Sequence, residues 1–162
     1  MNPPIEISKT KSPRSKVSFN QLGFGKYFAD HMFTLEYDHG VWKNPKILPY
    51  GPFEMEPGAS VFHYGQALFE GMKAFRSPSG KIHLFRPEFN AQRMAEGAAR
   101  LCMPSIPTDL FLEAIDALVK IDESWIPKEM GSALYLRPTL IGTESFLGVR
   151  PSEKYLFFII SS

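Results

Sequence analysis

Two arginines of this sequence stand where they could bind anionic groups. Arg93 lies in the segment Phe-Asn-Ala-Gln-Arg-Met, which has a helical pattern. A guanidinium is planar and permanently charged, so a rigidly held arginine can bind phosphate oxygens through two hydrogen bonds. On sequence alone, a solvent-exposed helix arginine is the more common explanation of such a residue.

Arg137 follows Tyr135 by two positions in the segment Tyr-Leu-Arg-Pro-Thr. On a strand, residues two apart share a face. An arginine on a mostly apolar strand is costly unless it is paired with an anion. A carboxylate of a substrate would provide that anion. The alternative is a structural ion pair with Glu144 or another acid.

Aromatic and apolar residues could form the wall of a substrate site. Phe24, Tyr64 and Tyr135 offer flat faces that exclude water, and tyrosine adds a hydroxyl that can hydrogen-bond. Aromatic core packing is the default alternative for all three. The segment Ser-Phe-Leu-Gly-Val at 145–149, with Leu147 and Val149, is too apolar for a purely solvated loop. Dimerisation would cover it, and so would folding back onto its own core.

Three ordered segments together resemble a known family. They are Phe-His-Tyr-Gly-Gln-Ala-Leu-Phe-Glu-Gly-Met-Lys-Ala-Phe at 62–75, the segment around Arg93, and Tyr-Leu-Arg-Pro-Thr-Leu-Ile-Gly-Thr-Glu at 135–144. Each is weak alone, but the ordered set resembles the branched-chain amino acid aminotransferases, which use pyridoxal 5'-phosphate (PLP). The resemblance extends from about Phe24 to the last residue.

The resemblance implies an activity and roles for individual residues. The enzyme would transfer an amino group between leucine, isoleucine or valine and 2-oxoglutarate through PLP. Arg93 would bind the PLP phosphate. Phe24, Tyr64, Tyr135 and Arg137 would line the substrate cavity, with Tyr64 reaching it from the partner subunit of a homodimer. The position of Leu147 and Val149 matches a family loop that reaches into the neighbouring subunit's active site.

The resemblance also implies that this chain is incomplete as an enzyme. Family members are longer, and their Schiff-base lysine lies in a second domain that this sequence does not contain. Lys73 is not at the matching position. We therefore expect no catalytic residue in these 162 residues and no activity from the fragment alone.

Two alternatives to this function stay open. One is another member of the same fold group, a D-amino acid aminotransferase or an aminodeoxychorismate lyase. The other is a non-catalytic binding or interaction domain, which the lack of a matching lysine would favour.

The order of the predicted elements indicates an α+β fold. Residues 1–18 are polar and lack periodicity, which predicts a flexible N-terminal arm before a domain over 19–162. Turn residues at Asp38-His39-Gly40 and Ser-Pro-Ser-Gly at 77–80 predict two hairpins.

Residues 46–49 predict a short edge strand, residues 62–70 have a helical spacing, and helices are expected from Pro87 to about Met103 and after Thr108, which can cap the second one. The second helix has an apolar stripe formed by Phe111, Ala114, Ile115, Leu118 and Ile121. The run Leu-Phe-Phe-Ile-Ile at 156–160 predicts a strand that is buried on both faces. We expect a mainly antiparallel sheet with helices packed on one face, as in the small N-terminal domain of the D-amino acid aminotransferase-like fold.

Composition excludes several classes of protein. The formal net charge of +1 gives no electrostatic reason to bind nucleic acid. No run of apolar residues is long enough to span a membrane. Cys102 is the only cysteine, so no intrachain disulfide can form, and we expect a cytoplasmic protein. The histidines have no metal-ligand spacing, so no metal site is expected.

Overall fold

A mostly antiparallel, eight-stranded sheet organises the part of the chain that the structure describes. The computed structural model describes residues 3–16 and 23–162. The strands are β1 (Glu6–Ile7), β2 (His31–Asp38), β3 (Val41–Pro49), β4 (Ala67–Phe69), β5 (Met72–Arg76), β6 (Ile82–Leu84), β7 (Leu134–Gly142) and β8 (Lys154–Ser161). Their order is β1-β3-β2-β8-β7-β5-β6, and β4 also pairs with β7. The β1–β3 pair is parallel.

Both predicted hairpins are confirmed. Asp38 pairs with Val41, which leaves His39 and Gly40 as a two-residue loop between β2 and β3. His39 has φ +43° and Gly40 has φ +96°, and such positive values suit the twist of a tight hairpin. In the second hairpin β5 pairs with β6 around residues 77–80. β3 is longer than predicted, since the short strand expected at 46–49 continues back to Val41.

The three α-helices of the described residues are α1 (Ser60–Tyr64), α2 (Pro87–Arg100) and α3 (Thr108–Ile121). The prediction of a helix over 62–70 was wrong beyond Tyr64. Gly65 adopts a left-handed conformation that ends α1, and residues 67–69 then pair with β7. Thr108 was predicted to cap α3, but Pro107 holds the cap position and no side chain caps the helix.

The core lies between one face of the sheet and helices α2 and α3, which confirms the predicted α+β class. From α3, Phe111, Ala114, Ile115 and Leu118 of the predicted stripe are fully buried, whereas Ile121 at its end is only partly buried. Alternate residues of β8 are buried and most of the others are half-buried, so the prediction of burial on both faces was only partly right. Gly97 of α2 lies against Leu68 of β4, where a methyl group would be only 3.0 Å from the leucine. The lack of a side chain at Gly97 therefore allows α2 and β4 to approach each other closely.

The described part of the predicted N-terminal arm lies against the sheet. Glu6 and Ile7 pair with Lys46 and Ile47 of β3. Further along, the Arg14 backbone N–H donates to Asp30 over 2.7 Å. The predicted boundary between residues 18 and 19 lies outside the described residues, and the flexibility of the arm stays a prediction.

A buried histidine–aspartate pair ties the arm, the sheet and the end of α3 together. The His31 Nδ1–H donates to Asp122 Oδ1 over 2.7 Å, and the His31 backbone N–H donates to Oδ2 over 3.1 Å. Burial raises the pKa of Asp122, an effect that the bonds from His31 partly offset. The Thr10 backbone N–H donates to His31 Nε2 over 3.0 Å. Because both ring nitrogens are occupied, this pair is structural and not a general base.

We expect His31→Ala to lower the free energy of unfolding by about 3 kcal/mol, because it leaves the buried Asp122 carboxyl without its main donor. The matched control is His39→Ala, which removes an exposed histidine paired with Asp38 and Glu153. Such surface pairs contribute about 0–1 kcal/mol. Chemical denaturation of both variants measures the difference. Equal losses would show that the His31 pair does not hold the fold.

Candidate cofactor and substrate site

One edge of β7 is shared by two successive strands. Its C-terminal half pairs with β4, where Phe69 lies opposite Thr139. Its N-terminal half pairs with β5, where Lys73 lies opposite Tyr135. Glu70 and Gly71 form the junction between them, and the Glu70 backbone N–H donates to the Pro138 carbonyl over 2.9 Å. The chain therefore passes from β4 to β5 in the middle of one edge of β7.

A groove of about 820 Å³ lies beside this junction. Its polar lining includes Arg93 and Asn90 from α2, Lys73 from β5 and Tyr135 from β7, and Phe75 and Phe85 are among its apolar residues. A groove with apolar walls and a few convergent polar groups is the usual form of a small-molecule site. Two of the predicted site residues, Arg93 and Tyr135, thus line one groove.

Arg93 is paired with a carboxylate that the sequence analysis did not assign to it. Its Nε–H donates to Glu70 Oε1 over 2.9 Å and its Nη2–H donates to Oε2 over 2.6 Å. The Glu70 side chain is only 11% exposed, whereas Arg93 is 62% exposed. Burial works to raise the pKa of Glu70, but the hydrogen bonds from Arg93 and Asn90 outweigh it and lower that pKa. Glu70 is therefore ionised at neutral pH.

A second cluster joins the other predicted substrate residues. Nε–H and Nη2–H of Arg137 donate to the Tyr135 hydroxyl over 3.1 and 2.9 Å. The Arg137 guanidinium lies 4.3 Å from the centre of the Phe69 ring. The Phe24 ring meets Tyr135 edge-on at 5.0 Å. Tyr135 thus lines the groove and also belongs to this cluster.

Phe69 is the site residue that sequence reasoning missed. The helical spacing of residues 62–70 hid it, because a helix would have pointed it elsewhere. The strand pairing of Phe69 with Thr139 sets it beside Arg137 instead. The available signal was the Gly65 that ends the helix before this residue.

The predicted alternative of an ion pair between Arg137 and Glu144 was wrong. Glu144 is taken by Arg150, whose Nη2–H and Nη1–H donate to it over 2.7 and 3.0 Å. Across residues 3–16 and 23–162, Arg137 has no carboxylate partner. Its charge is balanced only by a hydroxyl and two aromatic faces.

Tyr64 and Leu147 lie together beyond the opposite end of β7, and Val149 follows Leu147 by two positions in the same loop. The Tyr64 hydroxyl donates to the Leu147 carbonyl over 2.6 Å. The Leu147 side chain is 67% exposed and Val149 is 95% exposed, so neither folds back onto the core. Gln66, just after α1, accepts from Gly142 at the end of β7. Gly142 lies seven positions after Tyr135 along the strand, or about 24 Å away. This chain does not bring the two groups together.

Comparison with known proteins reveals the family. No protein-family model matches the chain. It is 46% identical over 163 residues to branched-chain-amino-acid transaminase 1 of Bacillus subtilis, covering 100% of this chain and 46% of that protein. It is 48% identical over 143 residues to the branched-chain-amino-acid aminotransferase of Mycolicibacterium smegmatis, covering 86% of this chain and 39% of that protein. The chain belongs to the branched-chain aminotransferase family. It spans about half the length of the curated relatives it matches.

Solved structures of such aminotransferases share its fold. The branched-chain amino acid aminotransferase of Escherichia coli superposes with a TM-score of 0.62 at 20% identity, over 82% of this chain and 39% of that one. The enzyme of Thermobaculum terrenum in its PLP form superposes with a TM-score of 0.58 at 20% identity, over 82% of this chain and 39% of that one. The sheet with helices on one face is thus the aminotransferase arrangement.

The described ranges contain neither a candidate membrane-spanning helix nor a candidate metal-binding cluster. No helix there is long and apolar enough to cross a membrane. No group of three or more histidine, cysteine, aspartate or glutamate residues there could hold a metal ion.

Gly71 lies very close to Tyr135 within the groove. A methyl group on its Cα would overlap the Tyr135 hydroxyl. Its backbone is not in the left-handed region, so glycine is needed here for space and not for conformation. The absent side chain fixes where the Tyr135 hydroxyl, and with it Arg137, can lie.

We expect Gly71→Ala to lower the free energy of unfolding by about 1–3 kcal/mol, because the added methyl group must displace Tyr135. The matched control is Gly51→Ala, where the nearest atom to the new methyl is the Pro49 carbonyl at 3.9 Å. That control is expected to be neutral or slightly stabilising. Thermal unfolding of both variants measures the effect. A Gly71→Ala melting temperature equal to that of the control would contradict the predicted overlap.

Proposed function

We propose that the protein containing this chain is a PLP-dependent branched-chain aminotransferase. It transfers the amino group between leucine, isoleucine or valine and 2-oxoglutarate. The observation that carries the proposal is that Arg93 and Tyr135, predicted for cofactor and substrate respectively, line one groove. The names of the relatives and the PLP-type ligands of structural neighbours support the same activity.

The groove residues fit a phosphate-bearing aromatic cofactor. Arg93 offers an exposed cation on a rigid helix, and Phe75 and Phe85 offer apolar surface for a planar ring. PLP, when bound, supplies an electron sink for the carbon that loses its proton, so the protein has to bind and orient. In this proposal Arg93 holds the phosphate. Lys73 lines the same groove, but the family resemblance assigns the cofactor's lysine to a second domain.

The Tyr135–Arg137 cluster accounts for two kinds of substrate side chain. Phe24, Phe69 and Tyr135 provide aromatic surface against which a branched aliphatic side chain loses water. Arg137 keeps Nε and Nη2 bonded to the Tyr135 hydroxyl, so an aliphatic substrate does not leave the whole guanidinium unpaired. Its Nη1 hydrogens are left for the second carboxylate of glutamate or 2-oxoglutarate.

The separation of Tyr64, Leu147 and Val149 from Tyr135 supports a homodimer. Exposed apolar groups of this kind are typical of contact surfaces. We infer that these three residues complete the substrate site of the partner subunit. We also infer a cytoplasmic protein, because Cys102 is the only cysteine of the chain.

The protein at the length of its relatives, loaded with PLP, should form glutamate from leucine and 2-oxoglutarate in a coupled assay. Residues 1–162 expressed alone should not, because the family's lysine lies beyond them. D-alanine serves as the control amino donor. Transfer from D-alanine but not leucine would favour a D-amino acid aminotransferase. Bound PLP without turnover of either would favour a non-catalytic domain.

Arg137→Leu should lower kcat/KM for glutamate by on the order of a hundredfold relative to leucine, because only the dicarboxylic substrate loses a charged partner. The matched control is Arg14→Leu, which removes an arginine stacked 4.4 Å from the Tyr50 ring and away from the groove. It should leave the ratio of the two kcat/KM values unchanged. An equal loss for both substrates, with a large fall in melting temperature, would make Arg137 a structural residue.

A further inference from the structure

The Glu70 carboxylate binds only one edge of the Arg93 guanidinium, the edge formed by Nε and Nη2. Glu70 accepts from Nε–H and from one Nη2–H. The donors of an arginine side chain lie on Nε, Nη1 and Nη2. Both Nη1 hydrogens and the other Nη2 hydrogen thus have no partner among the described residues. An anion can therefore bind Arg93 on a second edge without displacing Glu70.

Glu70 is itself held by the junction between β4 and β5. The Asn90 amide donates to its Oε2 over 2.9 Å and to the Gly71 carbonyl over 3.2 Å. The Gly71 backbone nitrogen lies 3.4 Å from the same Oε2. The Glu70 backbone is bonded to Pro138. The carboxylate thus has a fixed position, whereas Arg93 is a long side chain on an exposed part of α2.

A long, exposed arginine loses rotamer freedom when it binds an anion, and that loss weakens binding. An ion pair that already fixes the guanidinium plane removes this cost before the anion arrives. The same carboxylate also neutralises Arg93, which works against anion binding. The two effects have opposite signs, so removal of the carboxylate distinguishes them.

We propose that Glu70 is a positioning residue that fixes the Arg93 guanidinium so that its Nη1 edge faces a phosphate. This inference rests on the proposed PLP function. Positioning is the stronger effect here because the pair is bonded at two points and anchored by Asn90. Glu70 itself does not touch the phosphate and acts only through Arg93.

The test is the equilibrium dissociation constant of PLP, titrated into apoprotein of full length and followed by absorbance. Arg93→Ala should weaken PLP binding far more than Arg100→Ala, an exposed arginine in the last turn of the same helix. Glu70→Ala should weaken it by about tenfold, a typical coupling for bonded neighbours. Glu70→Gln, which keeps one acceptor, should lie between Glu70→Ala and the unchanged protein.

The double variant Glu70→Ala, Arg93→Ala separates positioning from a general structural role. If Glu70 acts through Arg93, adding Glu70→Ala to Arg93→Ala leaves the dissociation constant unchanged. An equal further loss in the Arg93→Ala background would make Glu70 merely structural and overturn the proposal. Equal or tighter binding by Glu70→Ala alone would also overturn it, in favour of a competing carboxylate.

The matched control is Glu123→Ala, which removes the carboxylate partner of Arg76 outside the groove. It should leave PLP binding unchanged, and a tenfold loss there would contradict the proposal. Failure of the proposed cofactor gives a different result, since the unchanged protein would then not bind PLP, and failure of the proposed substrates appears only in the transamination assay. An unchanged affinity in Arg93→Ala would remove both Arg93 and Glu70 from the cofactor site.

Discussion

The pairing of one edge of β7 with two successive strands is the constraint on which the rest of the site depends. β4 and β5 are both antiparallel to β7, so the chain between them must leave the edge and return to it within two residues. Those residues are Glu70 and Gly71. The junction turns the Glu70 carboxylate toward α2 and leaves space over Gly71 for the Tyr135 hydroxyl. Both predicted halves of the site, for cofactor and for substrate, thus meet at one irregularity of the sheet.

The alternation of side chains along β7 gives the two faces of the strand different roles: one face packs in the core, and the other carries site residues. Leu134, Leu136 and Leu140 point into the core under α2 and α3 and hold the sheet in place. Tyr135 and Arg137 alternate with these leucines, so they point to the opposite face, where they are half-buried. Because strand residues alternate strictly, the burial of one set places the other on the opposite face. The stability of the core therefore sets the position of the polar groups without contacting them.

Sequence patterns predicted the parts of this fold that depend on local chemistry. The hairpins follow from Asp38-His39-Gly40 and from residues 77–80, and the buried stripe of α3 follows from its spacing. The errors involve long-range pairing. Residues 67–69 have the spacing of a helix, but pairing with β7 makes them a strand. Glu144 is seven positions from Arg137 in sequence, whereas Phe69, the partner that the structure shows on another strand, is 68 positions away. The groove is likewise built from residues of four elements, so only the family resemblance could point to Arg93 in advance.

The two arginines of the site are balanced in different ways, and this difference has chemical consequences. Arg93 has a carboxylate partner, so the pair is nearly neutral and its selectivity for an anion depends on the geometry of the remaining donors. Among the residues that the structure describes, Arg137 has only the Tyr135 hydroxyl and the rings of Phe69 and Tyr135 as partners, and these stabilise a cation without cancelling its charge. A positive potential therefore remains around Arg137, and it lies in an aromatic setting. The aromatic rings offer apolar surface to an aliphatic side chain, and the charge of Arg137 attracts a carboxylate. The proposed transfer between leucine and glutamate needs both properties at one place.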